Sequence, residues 1–357
     1  MGSTFRFAVI GGGAISRTHV EQIRAIDGAR VVAVVDVDEA RARALGERAG
    51  APWYTDYREV LRRDDVDIVT ICTPSGTHGE IAIAAARAGK HVIVEKPLDV
   101  TLNKARQVVE VCRSEGVKLC VISQHRFDDA TIRVREWLAQ GKLGRPVLVE
   151  AAVNWYRPQS YYDRAPWAGT WAMDGGGVLM IQALHTIDVV QHLVGDVAEV
   201  SAYTATATHA RIEVEDVAVV AVRFANGALG TIAATTSAYP QLPTRIEVFG
   251  TLGTAVIEDD LLQKLYCRDP ASDEVPKEGV VNWAEQVGPG RKEWGLSHRR
   301  QFLDMLDAIA NDREPVVNGE EGLKPMEVIT AIYESARTGR PVTVAEVRAA
   351  AGITTGA

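Results

Sequence analysis

The chain has 357 residues, of which 46% are hydrophobic and 24% are charged, and its formal net charge is −8. A chain of this length exceeds one ordinary hydrophobic core and suits two domains. The two signs of charge are interleaved without a basic stripe, so we expect no nucleic acid partner. The N-terminal apolar run is too short for a signal peptide, and we expect no run to reach the length of a membrane span.

The cysteines show no metal-site spacing, because none of Cys72, Cys112, Cys120 and Cys267 stands in a CxxC pair. Cys72 and Cys120 fall in apolar runs, which favours buried thiols in a reducing compartment. We therefore expect a cytoplasmic protein with no bound metal and no membrane partner.

Five short β-branched runs alternate with helical patterns over the first third of the chain. This alternation predicts a parallel sheet with right-handed crossovers, and the uniformly apolar runs are typical of strands buried on both faces. The predicted strands are Phe5–Ile10, Val31–Asp36, Ile68–Thr73, His91–Val94 and Lys118–Ile122, and the predicted helices are Ala14–Asp27, Glu39–Ala49, His78–Gly89 and Thr101–Glu115.

The first strand ends in GGGAISRTH, where Gly11, Gly13 and Ser16 have the spacing G-x-G-x-x-small. In a dinucleotide-binding turn the first glycine allows the tight turn, the second lets a pyrophosphate approach the backbone, and the small residue lets helix and strand pack closely. A helix that begins near Ala14 points its amide groups at the phosphates. Asp36 ends the second strand, where a carboxylate binds both ribose hydroxyls and repels a 2′-phosphate. The sequence therefore predicts a doubly wound Rossmann domain that prefers NAD to NADP.

A second strand end lies at the carboxyl edge of the predicted sheet, where ligands of such sheets bind. Thr73, Pro74 and Ser75 follow the third strand. His78 comes next, and two interpretations are open: an ordinary residue of the first helical turn, or a contact on the nicotinamide side of the cofactor.

Lys96 follows the fourth strand in VIVEKPLDV, and Pro97 keeps it out of helical geometry. Partial desolvation and a nearby nicotinamide cation would both lower the pKa of this lysine, which suits proton exchange with a substrate hydroxyl. From the spacing alone, an exposed loop lysine explains the position equally well.

After Arg126 the pattern changes, so we place a first domain at residues 1–126 and an α+β domain at residues 127–357. Long alternating runs predict a large, mainly antiparallel, open-faced sheet, and Asn226-Gly227 suits a type I′ hairpin turn. The terminal helices would cover this sheet. The predicted strands are Val147–Tyr156, Val197–Thr208, Asp216–Phe224, Ala228–Ala238, Arg245–Gly250 and Thr254–Glu258, and the predicted helices are Asp129–Gln140, Ser297–Ala310 and Lys324–Gly339.

One further apolar helix pattern, GGGVLMIQALHTIDVVQHLVG, carries His185 and Asp188 in its middle. Residues three apart on a helix are neighbours, so these two side chains share a face. The residues alone leave two interpretations open: polar groups satisfied in a core, or half of an active site.

In combination, GGGAISRTH, CTPSGTHGEIAIAAARAGKHVIVEKPLDVT, SQHRF and this helix resemble the Gfo/Idh/MocA oxidoreductase family over nearly the whole chain. The resemblance implies NAD(P)-dependent oxidation or reduction of a hydroxyl on a sugar, cyclitol or related polyol. It implies that Lys96 binds and polarises the reacting hydroxyl, that His185 is the acid/base, and that Asp188 contacts substrate or orients the histidine. It also implies a homodimer or homotetramer that assembles through the open face of the second-domain sheet.

The expected contacts with the cofactor follow the glycine turn and the carboxyl edge of the first sheet. They are Gly11, Gly13, Ala14, Ile15, Asp36, Val37, Thr73, Pro74, Ser75, His78, Glu95, Lys96 and Gln124.

The chain departs from the family at two positions. Many relatives carry Asp or Asn where Ile181 stands, one turn before the histidine, and relatives often carry Arg where Ala168 stands. Ile181 shares a face with His185, so a polar group is absent from the substrate side. Gln182 points about 100° around the helix and is a poor substitute. We therefore expect one substrate hydroxyl contact to be absent or moved.

The loop before this helix is rich in aromatic and arginine side chains, which stack on sugar rings and bind carboxylates or phosphates. The same residue types serve equally well in packing, so we expect a mixture of the two roles. Arg157 and Arg126 are the candidates for binding an anionic or highly hydroxylated substrate. The expected substrate contacts are Lys96, Arg126, Trp155, Arg157, Trp167, Ile181 and His185.

Three functions fit these residues. The first is an NAD-dependent dehydrogenase of a sugar, sugar derivative or cyclitol. The second is an NAD-dependent glycosidase that oxidises a ring hydroxyl transiently, eliminates the aglycone and reduces the ring again, so that no net NADH forms. The third is an NAD-binding regulator without chemistry, which the retention of Lys96, His185 and Asp188 disfavours.

Overall fold

The computed structural model describes residues 4–269, 271 and 281–352. The chain forms two compact units. The first comprises Met1–Gln124, Ala172–Gly175 and Glu293–Leu323, and the second comprises His125–Trp171, Gly176–Lys292 and Lys324–Ala357. A single division at residue 126 therefore leaves out two segments that return to the first unit.

The regular elements follow in chain order. The strands are β1 (Phe5–Ile10), β2 (Ala29–Val35), β3 (Trp53–Tyr54), β4 (Ile68–Ile71), β5 (His91–Val94), β6 (Leu119–Val121), β7 (Pro146–Asn154), β8 (Val197–Ala205), β9 (Val217–Phe224), β10 (Leu229–Thr235), β11 (Arg245–Gly250), β12 (Gly253–Glu258), β13 (Leu261–Cys267) and β14 (Val342–Thr343). The helices are α1 (Ala14–Arg24), α2 (Glu39–Ala49), α3 (Tyr57–Leu61), α4 (His78–Arg87), α5 (Leu102–Ser114), α6 (Asp129–Ala139), α7 (Gln159–Asp163), α8 (Trp171–Asp174), α9 (Leu184–Val194), α10 (Trp283–Val287), α11 (Leu296–Ala310), α12 (Gly319–Thr338) and α13 (Val344–Ala350).

The first unit is built on a six-stranded sheet in the order β3-β2-β1-β4-β5-β6. All neighbouring strands run parallel. This is the strand order of a dinucleotide-binding doubly wound sheet, whose ligands bind beyond the carboxyl ends of the strands at the point where the order reverses. The predicted Rossmann domain is therefore confirmed.

The core of the first unit contains side chains from both the sheet and a distant helix. Phe7 and Ile93 of the central strands are fully buried together with Phe302 and Met305 of α11. The prediction that this terminal helix covers the second-domain sheet is wrong. Its amphipathic pattern shows that one face is buried, but the pattern does not say against which sheet.

The second unit contains an eight-stranded sheet in the order β13-β12-β11-β7-β10-β9-β8-β14. Its neighbouring strands pair antiparallel, except for the parallel pair of β7 and β10. The mainly antiparallel sheet is thus confirmed. Buried and exposed residues alternate along β9, so one face is covered and the other is open. On the covered side α9 packs against β7 and β11.

The turn between β9 and β10 is not the predicted type I′ turn. That turn needs positive φ at both central residues. Gly227 has a φ of 87°, but Asn226 is not among the described non-glycine residues with positive φ. The Asn226 side chain accepts from the Ala228 N–H at 3.0 Å and donates to the Val194 carbonyl at 2.7 Å. These bonds hold Asn226 in place in the four-residue connection 225–228, whose Gly227 is left-handed.

The Gly175–Gly195 pattern forms a π-helical turn at Leu179–Ala183, followed by α9. Among the described residues, Trp171–Val194 is long and apolar enough to cross a membrane by length and composition alone, with a mean hydropathy of 1.3 in its 18-residue window. However, 83% of that window is buried inside the protein, as in the core helix of a folded domain.

Candidate active site

The turn between β1 and α1 contains two glycines with different surroundings. Gly11 has a φ of +106°, and a Cβ there would lie 2.5 Å from the Cys72 carbonyl oxygen, so only glycine fits. Within the described part of the chain, a Cβ on Gly13 would meet that oxygen alone, at 4.0 Å. Gly13 and Ala14 are exposed, and no described side chain caps α1. This open helix N-terminus suits a pyrophosphate.

The carboxylate of Asp36 is oriented by two backbone amides. Oδ2 accepts from the N–H of Gly12 at 2.6 Å, and Oδ1 accepts from the N–H of Asp38 at 2.8 Å. Each oxygen retains a lone pair for a further donor. Val37 beside it is 91% exposed. The carboxylate therefore lies ready for ribose hydroxyls at the end of β2.

His78 joins the loops that follow β4 and β5. Its Nδ1 lies 2.7 Å from the carbonyl oxygen of Pro97, and its Nε2 lies 2.8 Å from that of Thr73. The residue is 1% exposed, and burial lowers the pKa of the ring. Because both ring nitrogens face backbone carbonyls, the ring does not fit the predicted contact with nicotinamide. It holds the two loops that carry Ser75 and Lys96.

The predicted role of Glu95 is a cofactor contact, but its carboxylate contacts His19 and the backbone of Lys96. Its carboxylate is 8% exposed and lies 2.8 Å from Nε2 of His19. Burial alone would raise the pKa of Glu95, but the hydrogen bond and charge of His19, with the charges of His298 and Lys96, lower it to about 2. The second oxygen accepts from the backbone N–H of Lys96 at 3.3 Å. The carboxylate thus holds the peptide of the lysine.

Lys96 lies directly after β5, at the carboxyl edge of the first sheet. Burial lowers the pKa of its ammonium group, and the charges of Glu95 and Asp174 oppose this shift. The direction is the one expected from desolvation. A lysine with a lowered pKa exchanges a proton with a hydroxyl more readily near neutral pH.

The remaining predicted cofactor contacts lie in the same unit. Ile15, Thr73, Pro74 and Gln124 are partly exposed, while Ser75 is buried. Gln124 Oε1 is itself buried and has no hydrogen-bond partner among the described residues. Buried amide oxygens normally have a donor, so a ligand N–H or O–H would satisfy it. Together with the open turn at Gly13 and the oriented Asp36, this acceptor fits a bound dinucleotide.

In the second unit, a buried carboxylate caps the helix that carries His185. Glu215 accepts from the N–H groups of Gly177 and Leu179, both at 2.9 Å, and from the Tyr333 hydroxyl at 3.0 Å. A Cβ on Gly177 would lie 1.7 Å from the Glu215 carbonyl oxygen, so the contact requires glycine. Burial raises the pKa of Glu215.

Asp188 and Arg126 form a buried bidentate pair. Arg126 donates through Nε at 2.9 Å and Nη2 at 2.6 Å to the two carboxylate oxygens. Arg126 is 5% exposed and Asp188 is 1% exposed. These two bonds use one edge of the guanidinium, and the direct contact of Arg126 with substrate stays a prediction. Such a pair fixes the position of the helix relative to the turn at Gln124–Phe127.

His185 and Ile181 are partly exposed on this helix, while Gln182 is 5% exposed. The two predicted substrate-side positions therefore share a face. Gln182 points its Nε2 at the Tyr161 hydroxyl at 3.4 Å, and its Oε1 has no hydrogen-bond partner among the described residues. The ring of His185 lies 5.0 Å from the ring of His125.

The aromatic loop places two arginines over three rings. Arg157 lies 4.9 Å from the ring of Trp155 and 5.5 Å from that of Tyr161. Arg164 lies 4.0 Å from the Tyr161 ring and 5.8 Å from that of Trp167. The indole nitrogen of Trp155 is buried without a hydrogen-bond partner in the described part of the chain. Arg157 also donates through Nη1 to the Tyr156 carbonyl at 2.9 Å and to Gln241 Oε1 at 3.3 Å, and a guanidinium has five N–H donors in all.

Both units match known families. Residues 5–123 match "Oxidoreductase family, NAD-binding Rossmann fold", and residues 135–344 match "Oxidoreductase family, C-terminal alpha/beta domain". The chain belongs to the Gfo/Idh/MocA oxidoreductase family. Its first unit is an NAD-binding Rossmann domain, and the protein is an oxidoreductase.

Three similar Gfo/Idh/MocA proteins illustrate the range of the family. The chain is 33% identical to the WlbA dehydrogenase of Bordetella pertussis, solved with NADH and UDP-GlcNAcA, over 95% of this chain and 98% of that one, with a TM-score of 0.84. It is 29% identical to the myo-inositol 2-dehydrogenase of Thermotoga maritima over 96% of this chain and 99% of that protein. It is 29% identical to the D-apiose dehydrogenase of Paraburkholderia graminis over 97% and 92%.

Reasoning from the sequence missed several residues of this Gfo/Idh/MocA site. Glu215 has one weak signal, the charged pair Glu215-Asp216 at the start of an apolar strand. His19 has none, because a histidine on a helix after the glycine turn has many roles. His19 contacts Glu95, and Glu215 binds the start of the helix that carries His185.

Proposed function

We propose that the protein is an NAD-dependent dehydrogenase that acts on a ring hydroxyl of a sugar, sugar derivative or cyclitol. The environment of Lys96 carries the proposal. This lysine lies at the carboxyl edge of an NAD-binding sheet, its pKa is lowered, and Glu95 accepts from its backbone N–H. Family members similar to this chain are named as inositol and apiose dehydrogenases.

The roles of the side chains follow from their environments. NAD, when bound, would supply the hydride chemistry. Lys96 would bind the reacting hydroxyl and stabilise negative charge on its oxygen, and His185 would take the hydroxyl proton. Asp188, paired with Arg126, would hold the helix that presents His185.

A screen with purified protein tests the activity. UDP-GlcNAcA, myo-inositol and D-apiose are each mixed with NAD or NADP, and absorbance of the reduced cofactor is followed. Reduction of NAD with at least one of them is the expected result. Cleavage of a glycoside without net NADH would favour the glycosidase instead.

A matched pair of lysines at the two ends of β5 tests the role of Lys96. Lys96→Ala should lower turnover by at least about a hundredfold, because it removes the group that stabilises charge on the oxygen. Lys90 precedes the same strand and donates to the Arg63 carbonyl at 2.8 Å. Lys90→Ala should leave turnover within about twofold, and an equal loss in both variants would exclude a specific role for Lys96.

Two neighbouring aspartates test the choice of cofactor. Asp36→Ala should weaken NAD binding about tenfold and relax discrimination against NADP, because it removes the oriented carboxylate. Asp38 instead caps α2 by accepting from the Arg41 N–H. Asp38→Ala should change stability without changing the ratio of NAD to NADP affinity. An unchanged ratio in Asp36→Ala would mean that Asp36 does not select the cofactor.

We further propose that the substrate carries a negative charge, as a nucleotide-linked sugar acid does. This is supported by Arg157 and Arg164 in the aromatic loop and by the 33% identity to a dehydrogenase solved with UDP-GlcNAcA. Arg164→Gln should raise the KM for UDP-GlcNAcA about tenfold. Arg211→Gln is the control, because Arg211 pairs with Asp163 at 2.7 Å. Equal KM values in both variants would contradict the proposal.

We also propose a homodimer or homotetramer that forms through the open face of the second sheet. Tyr203 and Val219 are paired across β8 and β9 and are 80% and 57% exposed, and Leu229 of β10 is 52% exposed. Exposed apolar area of this kind is typical of an interface. Val219→Lys should produce monomers in light scattering. Val316→Lys, at a residue 50% exposed in the first unit, should not.

We also propose that the protein is cytoplasmic. All four cysteines are free, and Cys72, Cys112 and Cys120 are buried. Free thiols persist in a reducing compartment. Fractionation of producing cells tests this, and recovery outside the cytoplasm would contradict it.

A further inference from the structure

We propose that His125 is a positioning residue that fixes the ring of His185, and that the carboxylates of Asp128 and Asp260 hold His125 for this task. The inference rests on the proposed function, in which His185 takes the hydroxyl proton. All four residues belong to the second unit.

One side of the His125 ring faces two carboxylates. Nδ1 lies 2.7 Å from Asp128 Oδ2 and 3.1 Å from Asp260 Oδ1. Ionised carboxylates accept hydrogen bonds only, so a proton on this nitrogen serves as the donor to both. Burial alone would lower the pKa of His125, but hydrogen bonds to Asp128 and Asp260 raise it to about 10. The two contacts therefore hold the ring at Nδ1, and the raised pKa favours its imidazolium form at neutral pH.

The same ring contacts His185. The two ring centroids are 5.0 Å apart and the planes meet at 78°, an edge-on arrangement. The next residue, Arg126, binds Asp188 through two hydrogen bonds. Two consecutive residues of one turn thus contact the two polar residues that lie three apart on α9. The pair Arg126–Asp188 fixes the helix, and His125 limits how the His185 ring can rotate on it.

Asp260 reaches His125 from an energetically costly turn. Asp259 and Asp260 form the two-residue connection of β12 and β13 and have φ values of 47° and 68°. Each left-handed residue other than glycine costs about 1 kcal/mol or more, which the fold must offset. Asp259 accepts from the Thr244 N–H at 3.2 Å and pairs with Lys292 at 3.4 Å. Asp260 uses the same backbone conformation to place its carboxylate at His125.

A divalent cation is the other partner that could bridge these three residues, whose ligand atoms lie within 4.8 Å of one another. Two ligands with metal bonds of about 2.1 Å lie roughly 3.4 Å apart in tetrahedral geometry. The 2.7 Å between Nδ1 and the Asp128 oxygen is instead the length of a charge-assisted hydrogen bond. The geometry therefore favours a proton between them.

The two aspartates of the turn provide a matched test, because asparagine accepts left-handed φ as readily as aspartate. Protein labelled in its histidine rings is titrated by nuclear magnetic resonance as wild type, Asp260→Asn and Asp259→Asn. His125→Gln and His185→Gln assign the two signals. This measurement needs no substrate, so it is independent of the proposed function.

We expect the wild-type His125 ring to stay protonated beyond pH 9, consistent with a pKa of about 10. Asp260→Asn should lower the midpoint of His125 by about one pH unit or more and should also move the His185 signal. Asp259→Asn should do neither. A His185 signal that is unchanged in Asp260→Asn would overturn the proposal. So would Zn²⁺ binding to wild type that releases the His125 proton and is lost in Asp260→Asn.

Turnover with UDP-GlcNAcA and NAD gives the second readout. Asp260→Asn should lower kcat about tenfold with KM within about twofold, because a base held less firmly affects the reaction more than binding. Asp259→Asn should leave both values within about twofold. A rise in KM without a fall in kcat would contradict a positioning role. If the wild type shows no turnover but Asp260→Asn still moves the His125 midpoint and the His185 signal, the result counts against the proposed function alone.

Discussion

Two buried glutamates, one in each unit, have pKa values shifted in opposite directions. Glu95 in the first unit is 8% exposed and faces the His19 ring, and its pKa is lowered to about 2. Glu215 in the second unit is 5% exposed and faces two backbone amides and a hydroxyl, and burial raises its pKa. The neutral hydrogen-bond donors around Glu215 thus do not cancel the rise in pKa that burial causes, whereas the charged partner of Glu95 does.

The difference has a structural consequence. Glu95 stays ionised throughout the neutral range and can hold the backbone of Lys96. Glu215 holds the start of the helix that carries His185, where the helix dipole also favours negative charge. One unit thus holds the backbone of Lys96 with an ion-paired carboxylate, and the other holds the helix of His185 with a carboxylate cap.

Removing the charged partner should have the largest effect. His19→Gln leaves the Glu95 carboxylate buried without its imidazolium, which should cost about 3–5 kcal/mol in the free energy of unfolding. His91→Gln is the control, because His91 accepts from a neutral donor, the Lys118 N–H, at 3.0 Å. Denaturant unfolding measures both. If the two variants lost equal stability, Glu95 would not depend on a charged partner.

Removing the cap itself should rank second. Glu215→Ala leaves the N–H groups of Gly177 and Leu179 without their acceptor, and we expect a loss of about 2–3 kcal/mol. Glu213 provides the comparison, since it accepts from the Trp171 N–H at the exposed start of α8. Glu213→Ala should cost about 1 kcal/mol or less by the same unfolding experiment. A larger loss in Glu213→Ala would contradict the assignment of the cap.

The two glutamates should respond to acid with opposite signs. Glu95 has a folded pKa of about 2, below its ordinary 4.5, so its contribution to stability is present above pH 4.5 and is lost as the pH falls toward 2. Glu215 has a folded pKa above 4.5, so its contribution is present below pH 4.5 and is lost as the pH rises through the folded value.

The measurement compares wild type with Glu95→Gln and with Glu215→Gln as the pH is lowered. Stability relative to Glu95→Gln should fall below pH 4.5, and stability relative to Glu215→Gln should rise between neutral pH and 4.5. Each slope is at most about 1.4 kcal/mol per pH unit for one proton. Slopes of the same sign would mean that the two environments do not differ as described.

Local periodicity could predict most of the regular elements. The strands at Phe5–Ile10, His91–Val94 and Arg245–Gly250 have the bounds that alternation and turn residues predict. The glycine turn and the lysine after β5 could also be predicted, because short motifs of residues adjacent in sequence identify them. Short elements such as β3 and α3 were missed because a few residues carry no periodicity.

The supports of the site were not predictable in this way. Glu215 caps amides 36 and 38 residues away in sequence, and nothing in the strand that follows it indicates that partner. The return of α11 to the first unit is equally hidden, because an apolar face does not name the surface it packs on. Tertiary contacts decide such features, and only the folded chain shows them.

Among the changes around the two glutamates, the smallest effect should come from one neutral donor to Glu215. Tyr333→Phe removes the hydroxyl bond of 3.0 Å but leaves the two amides in place, so we expect a loss of only about 1 kcal/mol. Tyr162→Phe breaks a bond between two neutral hydroxyls, Tyr162 and Thr236, and should cost about 0.5 kcal/mol. The pH dependence separates them further, because only Tyr333→Phe removes a stabiliser of the Glu215 anion and should raise the pKa of that carboxyl. If Tyr333→Phe cost as much as His19→Gln, a neutral hydroxyl would be equivalent to a cation, and the contrast between the two glutamates would fail.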